Sequence, residues 1–166
     1  YAFTHVLVIS PNYATDGTLL VKFNLGFAVS TNYGVSWVQR AQNVDSLAFA
    51  PDGSLFASAS TGADENYACM YSPDLGLTWN VRGLAWRGNY LEISPGFATD
   101  HTMFMFYDML YRSTDGGYTW MDITRDLPTA VRNLVFQPQF DYTQPSRRNI
   151  FITSGWVKNN IYLFRS

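Results

Sequence analysis

Eight residues, Ser113-Thr114-Asp115-Gly116-Gly117-Tyr118-Thr119-Trp120, constrain this chain more than any others, because two further versions precede them. These are Ser72-Pro73-Asp74-Leu75-Gly76-Leu77-Thr78-Trp79 and Ser30-Thr31-Asn32-Tyr33-Gly34-Val35-Ser36-Trp37. The shared pattern is Ser-x-Asp-x-Gly-x-Thr-Trp, with Asn32 and Ser36 as conservative departures. Ser30 and Ser72 lie 42 residues apart, and Ser72 and Ser113 lie 41 apart. A chance octapeptide has no reason to keep a period, and periods of about 40–50 residues belong to repeat architectures. A fourth copy would begin at Ser166, after a longer interval of 53 residues.

The chemistry of the octapeptide describes a loop that satisfies itself. Ser and Asp two residues apart can accept hydrogen bonds from backbone N–H groups that follow them. Gly suits a positive φ, and Thr and Trp favour the strand that leaves. Asp74 and Asp115 are therefore expected to bond N–H groups of their own loops, and Asn32 to do so less well. Trp37, Trp79 and Trp120 are expected to be largely buried, so that Trp120→Ala costs about 3–5 kcal/mol.

A second phrase keeps the same period. Val6-Leu7-Val8-Ile9-Ser10-Pro11 in repeat 1 matches Leu91-Glu92-Ile93-Ser94-Pro95 in repeat 3. Leu47-Ala48-Phe49-Ala50-Pro51 and Leu134-Val135-Phe136-Gln137-Pro138 are the versions in repeats 2 and 4. Apolar runs of this length, each closed by Pro, read as inner strands. Four strands per repeat follow: A at 4–9, 45–50, 90–94 and 132–137; B at 18–23, 54–59, 101–106 and 149–154. Strand C falls at 26–30, 67–72, 108–113 and 160–165, and strand D at 36–40, 78–82 and 119–123. Asp16-Gly17, Asp52-Gly53 and Asp115-Gly116 supply hairpin turns. No segment carries helical periodicity with caps.

The octapeptides resemble the Asp box, or BNR repeat, of sialidase-like β-propellers; sortilin-type receptor domains and photosystem-assembly factors carry similar boxes. The fold expected is all-β: propeller blades of four antiparallel strands in about four repeats, near 1–41, 42–83, 84–126 and 127–166. The strand order reads ABCD-ABCD-ABCD-ABC. Strand D of repeat 4 is expected outside this sequence, supplied by further blades or by a neighbouring subunit that completes the sheet. The resemblance implies structural roles for Ser30, Asn32, Gly34, Trp37, Ser72, Asp74, Gly76, Trp79, Ser113, Asp115, Gly117 and Trp120.

Two classes of function remain in view. Sialidase-like enzymes use a Phe/Tyr-Arg-Ile-Pro phrase that is absent here. Tyr111-Arg112-Ser113 and Phe164-Arg165-Ser166 look close to it, but both sit where a strand enters a box, which favours a structural role. Glu occurs only as Glu65 and Glu92, and a glycosidase needs two carboxylates across one cleft. Glu92, in a strand A, is placed to face a central channel. The alternative, a fragment of a sialidase-like or xyloglucanase-like glycoside hydrolase, thus ranks below a non-catalytic binding or scaffold module, and no catalytic residue is assigned.

Aromatic residues make up 17% of the chain against 14% charged, which suits contact with protein or polysaccharide. Trp86, Tyr90, Tyr142 and Trp156 lie outside the boxes and are the candidate exposed aromatics, unless they fill gaps between blades. Arg147 and Arg148 lie in a long connection, 139–148, that is a candidate binding loop. The net charge of −2 offers no basic field for nucleic acid or anionic membrane. Cys69 stands alone and reads as a buried, inert thiol. His5 and His101 are too few for a metal site, so neither metal nor cofactor is expected. Tyr1 opens the chain with no signal-type segment, so a processed protein or a piece of a larger one is expected, with an extracellular, cell-surface or periplasmic location.

Overall fold

The computed structural model describes residues 6–24, 26–62, 65–124, 131–136, 149–154 and 161–165. The first sheet holds β1 (Val6–Ile9), β2 (Leu19–Phe23), β3 (Gly26–Ser30) and β4 (Val38–Arg40), paired in that order. The second holds β5 (Ser46–Phe49), β6 (Leu55–Ser60), β7 (Asn66–Ser72) and β8 (Asn80–Trp86). The third holds β9 (Tyr90–Ile93), β10 (Met103–Phe106), β11 (Leu110–Ser113) and β12 (Met121–Asp122). The fourth holds β13 (Val131–Phe136), β14 (Asn149–Ser154) and β15 (Ile161–Arg165). Every pairing is antiparallel, in sequence order, as a blade of four short hairpin-linked strands requires. Among the described residues β15 is an edge strand, and its one strand partner is β14.

Two single-turn helices depart from the sequence reading: α1 (Tyr13–Asp16) and α2 (Phe97–Asp100). A turn this short has no periodicity to detect; side-chain bonds hold it. Ser10 Oγ donates to Asp16 Oδ2 at 2.6 Å, and the Thr18 N–H donates to Asp16 Oδ1 at 2.7 Å. Repeat 3 repeats the arrangement, with Ser94 Oγ to Asp100 at 2.7 Å and the Thr102 N–H to Asp100 at 2.8 Å. Gly17 (φ 59°) and His101 (φ 48°) end the two turns in the left-handed region. Repeat 2 has the shorter Ala50-Pro51-Asp52-Gly53 phrase, where Asp52 accepts the Ser54 N–H at 2.9 Å. Asp16, Asp52 and Asp100 therefore close A–B turns, the first two at the hairpin signals of the sequence.

Alternation along the strands sends side chains to both faces of each sheet, and the sheets bury those faces against one another. Phe27 and Val29 of the first sheet pack with Leu47, Leu55 and Met70 of the second. Phe56 and Cys69 of the second pack with Leu91, Met103 and Met105 of the third. Phe104 and Phe106 of the third pack with Leu134, Ile150 and Ile152 of the fourth. Among the described residues the core is thus three seams between four blades. Each seam holds one Phe that is at most 1% exposed: Phe27, Phe56 or Phe104. Burying such a side chain contributes about 1.5–3 kcal/mol.

The outer faces of the series differ from the seams. Leu7 and Ile9 on β1 are 56% and 54% exposed. Val135 on β13 is 54% exposed, and its register partner Phe151 on β14 is 39% exposed. Among the described residues no apolar cluster joins the first blade to the fourth.

Candidate functional site

Inner strands β1, β5 and β9 converge on a cavity of about 640 Å³. Pro11, Pro51 and Pro95 end these strands and contribute to its wall. Leu7, Ile9, Phe49 and Ile93 make most of the surface apolar, while Lys22, Asp45 and Glu92 bring the charge. Asp45 Oδ2 accepts the Ser60 N–H at 2.9 Å. Glu92 is half-buried and sits opposite Phe104 in the β9–β10 register. Burial pushes its carboxyl up to about 7, because a low-dielectric setting disfavours the charged form. Tyr90 also lines this space; it is 42% exposed and stacks on Phe106 at 5.6 Å.

The other sequence-predicted binding residues do not gather here. Trp86 ends β8, is 44% exposed and lies under the Arg87 guanidinium at 4.7 Å. Arg87 bridges Glu65 at 2.5 Å and Asp108 at 3.7 Å beside a separate cavity of about 390 Å³. Tyr142, Arg147, Arg148 and Trp156 lie outside the described residues. Tyr111 of the Tyr-Arg-Ser phrase is buried in the seam between the second and third blades, which fits the structural role expected of it.

The three octapeptide loops share one hydrogen-bond scheme. Ser72 Oγ accepts the Gly76 N–H at 2.7 Å, and Ser113 Oγ accepts the Gly117 N–H at 2.9 Å. Asp74 accepts the Thr78 N–H at 2.8 Å and the Thr78 hydroxyl at 2.7 Å. Asp115 accepts both groups of Thr119 and the Tyr118 N–H. Although burial pushes the Asp115 carboxyl up, the Thr119 bonds outweigh that and hold it down at about 2. Asn32 keeps the scheme: it accepts the Ser36 N–H at 2.9 Å and donates Nδ2 to Ser36 Oγ at 2.8 Å. The Asn-Ser pair reverses one bond, and Asn32 accepts one backbone N–H where Asp115 accepts two, in line with the weaker bonding expected of it.

Each loop glycine adopts a positive φ, 85° at Gly34, 83° at Gly76 and 95° at Gly117. Two of them also lie under the preceding blade. A Cβ on Gly76 would overlap the Phe27 ring, and one on Gly117 would lie 2.7 Å from Cys69 Sγ. Phe27 and Cys69 each stand three residues before the Ser that opens their own blade's loop. Cys69 is inert there: burial pushes its thiol up to about 12.

Arg82 is a residue that the sequence reading did not single out. A bulge in the β7–β8 pairing, where Cys69 faces Gly83 and Met70 faces Val81, leaves Arg82 without a partner and re-aims its side chain. Its guanidinium lies within 4.4–4.9 Å of the Tyr71, Tyr118 and Phe56 ring centres and donates to the Gly116 carbonyl at 2.6 Å. It forms one wall of a cavity of about 330 Å³ with Asp52, His101 and Asp115. A single Arg in a strand carries no sequence signal, and its rings come from separate segments.

Blades in series, seams between them and inner strands around one cavity are the features of a β-propeller. Solved structures agree. YCF48 bound to D1 peptide superposes with a TM-score of 0.57 at 12% identity, over all of this chain and 60% of that one. YCF48 from Cyanidioschyzon merolae gives 0.52 at 13% identity, over 98% of this chain and 59% of that one. The chain thus spans about 60% of the length of these structures. No protein-family model and no curated protein matches it. At such identity the likeness shows the fold: part or all of a β-propeller.

Proposed function

We propose that this chain is a non-catalytic protein-binding scaffold of the Asp-box propeller type, with its axial cavity as the binding site. One observation carries the reading: three inner strands enclose an open, mostly apolar cavity whose size and walls suit an extended segment of a partner. The YCF48 structure bound to a D1 peptide supports a protein partner over a polysaccharide. The hydrolase alternative has less support. Among the described residues, the other carboxylate lining the cavity beside Glu92 is Asp45, and Asp45 already accepts a backbone N–H. The proposal includes an extracytoplasmic location, and cover for the apolar outer faces of the first and fourth blades by further blades or a neighbouring subunit.

The test is selection of peptides from a random displayed library on the immobilised chain, followed by calorimetry. Peptides of micromolar affinity are expected, and Ala48→Arg, which fills the cavity, should abolish their binding. Failure to enrich any peptide, or affinities unchanged in Ala48→Arg, would overturn the reading. Hydrolysis of a sialoside or β-glucan by the pure chain, lost in Glu92→Gln, would establish the hydrolase instead.

A further inference from the structure

Glu92 is misplaced for stability. Its counterparts in the other three repeats are Val8, Ala48 and Val135, all apolar. The fold therefore does not need a carboxylate at this register. Burial beside Phe104 penalises the charged form, and a half-buried charge is costly unless it is paired. Glu92 has no hydrogen-bond or ion-pair partner among the described residues. Of the charged groups around it, Lys22 and Asp45 line the same cavity. Arg132, on the fourth blade's face toward the third, is engaged by Asp108 at 3.5 Å and by the Tyr107 ring at 4.1 Å. Asp45 is held by the Ser60 N–H, so Glu92 is the carboxylate left to meet a ligand.

We propose that Glu92 makes the axial cavity selective for a cationic side chain, an Arg or Lys flanked by apolar residues on an extended segment of a protein partner. This rests on the protein-binding reading above and adds the chemistry that the partner must carry. Among the described residues, the charged groups on the cavity's lining are Asp45, Glu92 and Lys22, an acidic balance that favours a cation. Its walls favour the flanking residues: the mostly apolar lining, with Phe49 and Ile93 on it, can cover apolar side chains while Glu92 takes the charge. A charge-assisted bond in such a setting is stronger than one at an open surface. Guanidinium can bind both oxygens of the carboxylate, so Arg should be preferred to Lys.

The experiment compares two fluorescein-labelled nonapeptides of one Leu/Ser sequence, with Arg or its neutral isostere citrulline at the centre. Anisotropy at pH 8.5 should show the Arg peptide binding about tenfold more tightly, the scale of one charge-assisted hydrogen bond. At pH 5.5, where Glu92 is protonated, the preference should shrink to about twofold or less. In Glu92→Gln it should be absent at both pH values. Glu92→Val tests the misplacement itself. The folded state keeps the Glu92 proton up to about pH 7, whereas the unfolded chain releases it near about 4.3. The ionised carboxylate therefore destabilises the fold increasingly as pH rises between those values. The Tm of Glu92→Val should exceed that of the natural chain at pH 8.5, and by less at pH 5.5.

Equal affinity for the two peptides at pH 8.5 overturns charge selection and leaves the protein-binding reading intact. A preference that survives Glu92→Gln also overturns it, because the charge would then lie elsewhere. A lower Tm in Glu92→Val would overturn it too, by showing a structural role. Binding of neither nonapeptide, while library peptides still depend on Ala48, sinks the cation site alone. If no library peptide binds either, both readings fall. Should Glu92→Gln not fold, the pH comparison on the natural chain decides.

Discussion

The first octapeptide loop and the third are built alike and packed differently. In both, Ser accepts the Gly N–H, at 2.9 Å from Gly34 and 2.9 Å from Gly117. In both, the Trp indole N–H donates to the Gly carbonyl, at 3.0 Å in the first loop and 3.1 Å in the third. Trp120 nonetheless packs into the seam with the second blade, while Trp37 is 40% exposed. A Cβ on Gly34 would meet only Leu19 and Trp37 of its own blade, at 3.6 and 3.8 Å. The loop is thus a local unit that forms by itself, and the preceding blade turns it into part of a core. The near-complete burial of all three Trp rings expected from the sequence is not met: Trp79 and Trp120 are half-buried in seams and Trp37 is exposed.

The loop glycines should show the largest contrast. Gly117→Ala meets both a positive φ and Cys69 Sγ, and strain plus overpacking should cost about 2–4 kcal/mol. Gly34→Ala meets only the positive φ, and should cost about 1 kcal/mol. Urea unfolding measures both. Cys69→Ala in the Gly117→Ala background should restore part of the loss, giving a coupling energy of about 1 kcal/mol in a double-mutant cycle. Equal costs at the two glycines, or strict additivity with Cys69, would show that the preceding blade does not press on the loop.

The tryptophans sharpen the same contrast. Trp120→Ala should cost about 3 kcal/mol, the lower end for a large aromatic because the ring is only half-buried. Trp37→Ala should cost about 1–2 kcal/mol, less than Trp120→Ala, because its ring is 40% exposed and packs in none of the three seams. A larger loss at Trp37 than at Trp120 would mean that the cover proposed for the first blade's outer face extends over the Trp37 ring.

Arg82 and Arg40 extend the comparison to the strands, for each follows its loop Trp by three residues. Arg82→Met removes a ring-enclosed cation and a bond to the third loop, and should cost about 1–2 kcal/mol. Arg40 pairs in regular register with Phe27 and keeps a buried Nε without a partner. Arg40→Met should therefore change stability by less than about 0.5 kcal/mol or raise it slightly. Thermal unfolding of the two variants separates the cases.

Acid gives the smallest effect. The Thr78 N–H and hydroxyl hold Asp74 below the usual carboxylate range, and Asp115 is held at about 2. Their contribution is present above about pH 4 and is lost as pH falls through the folded values. Asn32 does not titrate. Between pH 5 and 2, amide NMR shifts of Thr78 and Thr119 should move while that of Ser36 stays in place.

Much of the fold was legible because turn chemistry is local. Ser-x-Asp-x-Gly-x-Thr-Trp carries its own acceptors and glycine, so three loops and their period could be read without a structure. Strands A and C fell close to the expected ranges for the same reason, bounded by Pro on one side and the loop on the other. Strand D was less legible: β8 runs to Trp86 rather than ending at residue 82. Its end depends on pairing with β7, which continues back to Asn66. The site was legible only in part. Glu92 and Tyr90 were singled out and both line the axial cavity, whereas Trp86 stands apart and Arg82 gave no signal.

The sequence by itself determined that the chain makes repeated hairpins with self-satisfied loops, since those bonds join residues at most four apart. Only the tertiary structure decided which identical loops become core. Phe27 reaches Gly76 and Cys69 reaches Gly117 across a seam, and no local signal records whether a blade stands in front. The same holds for Arg40 and Arg82, equal in offset from their Trp and unequal in place. One extra residue in the pairing of β7 with β8 turns Arg82 toward three rings, and pairing register is settled by the sheet as a whole.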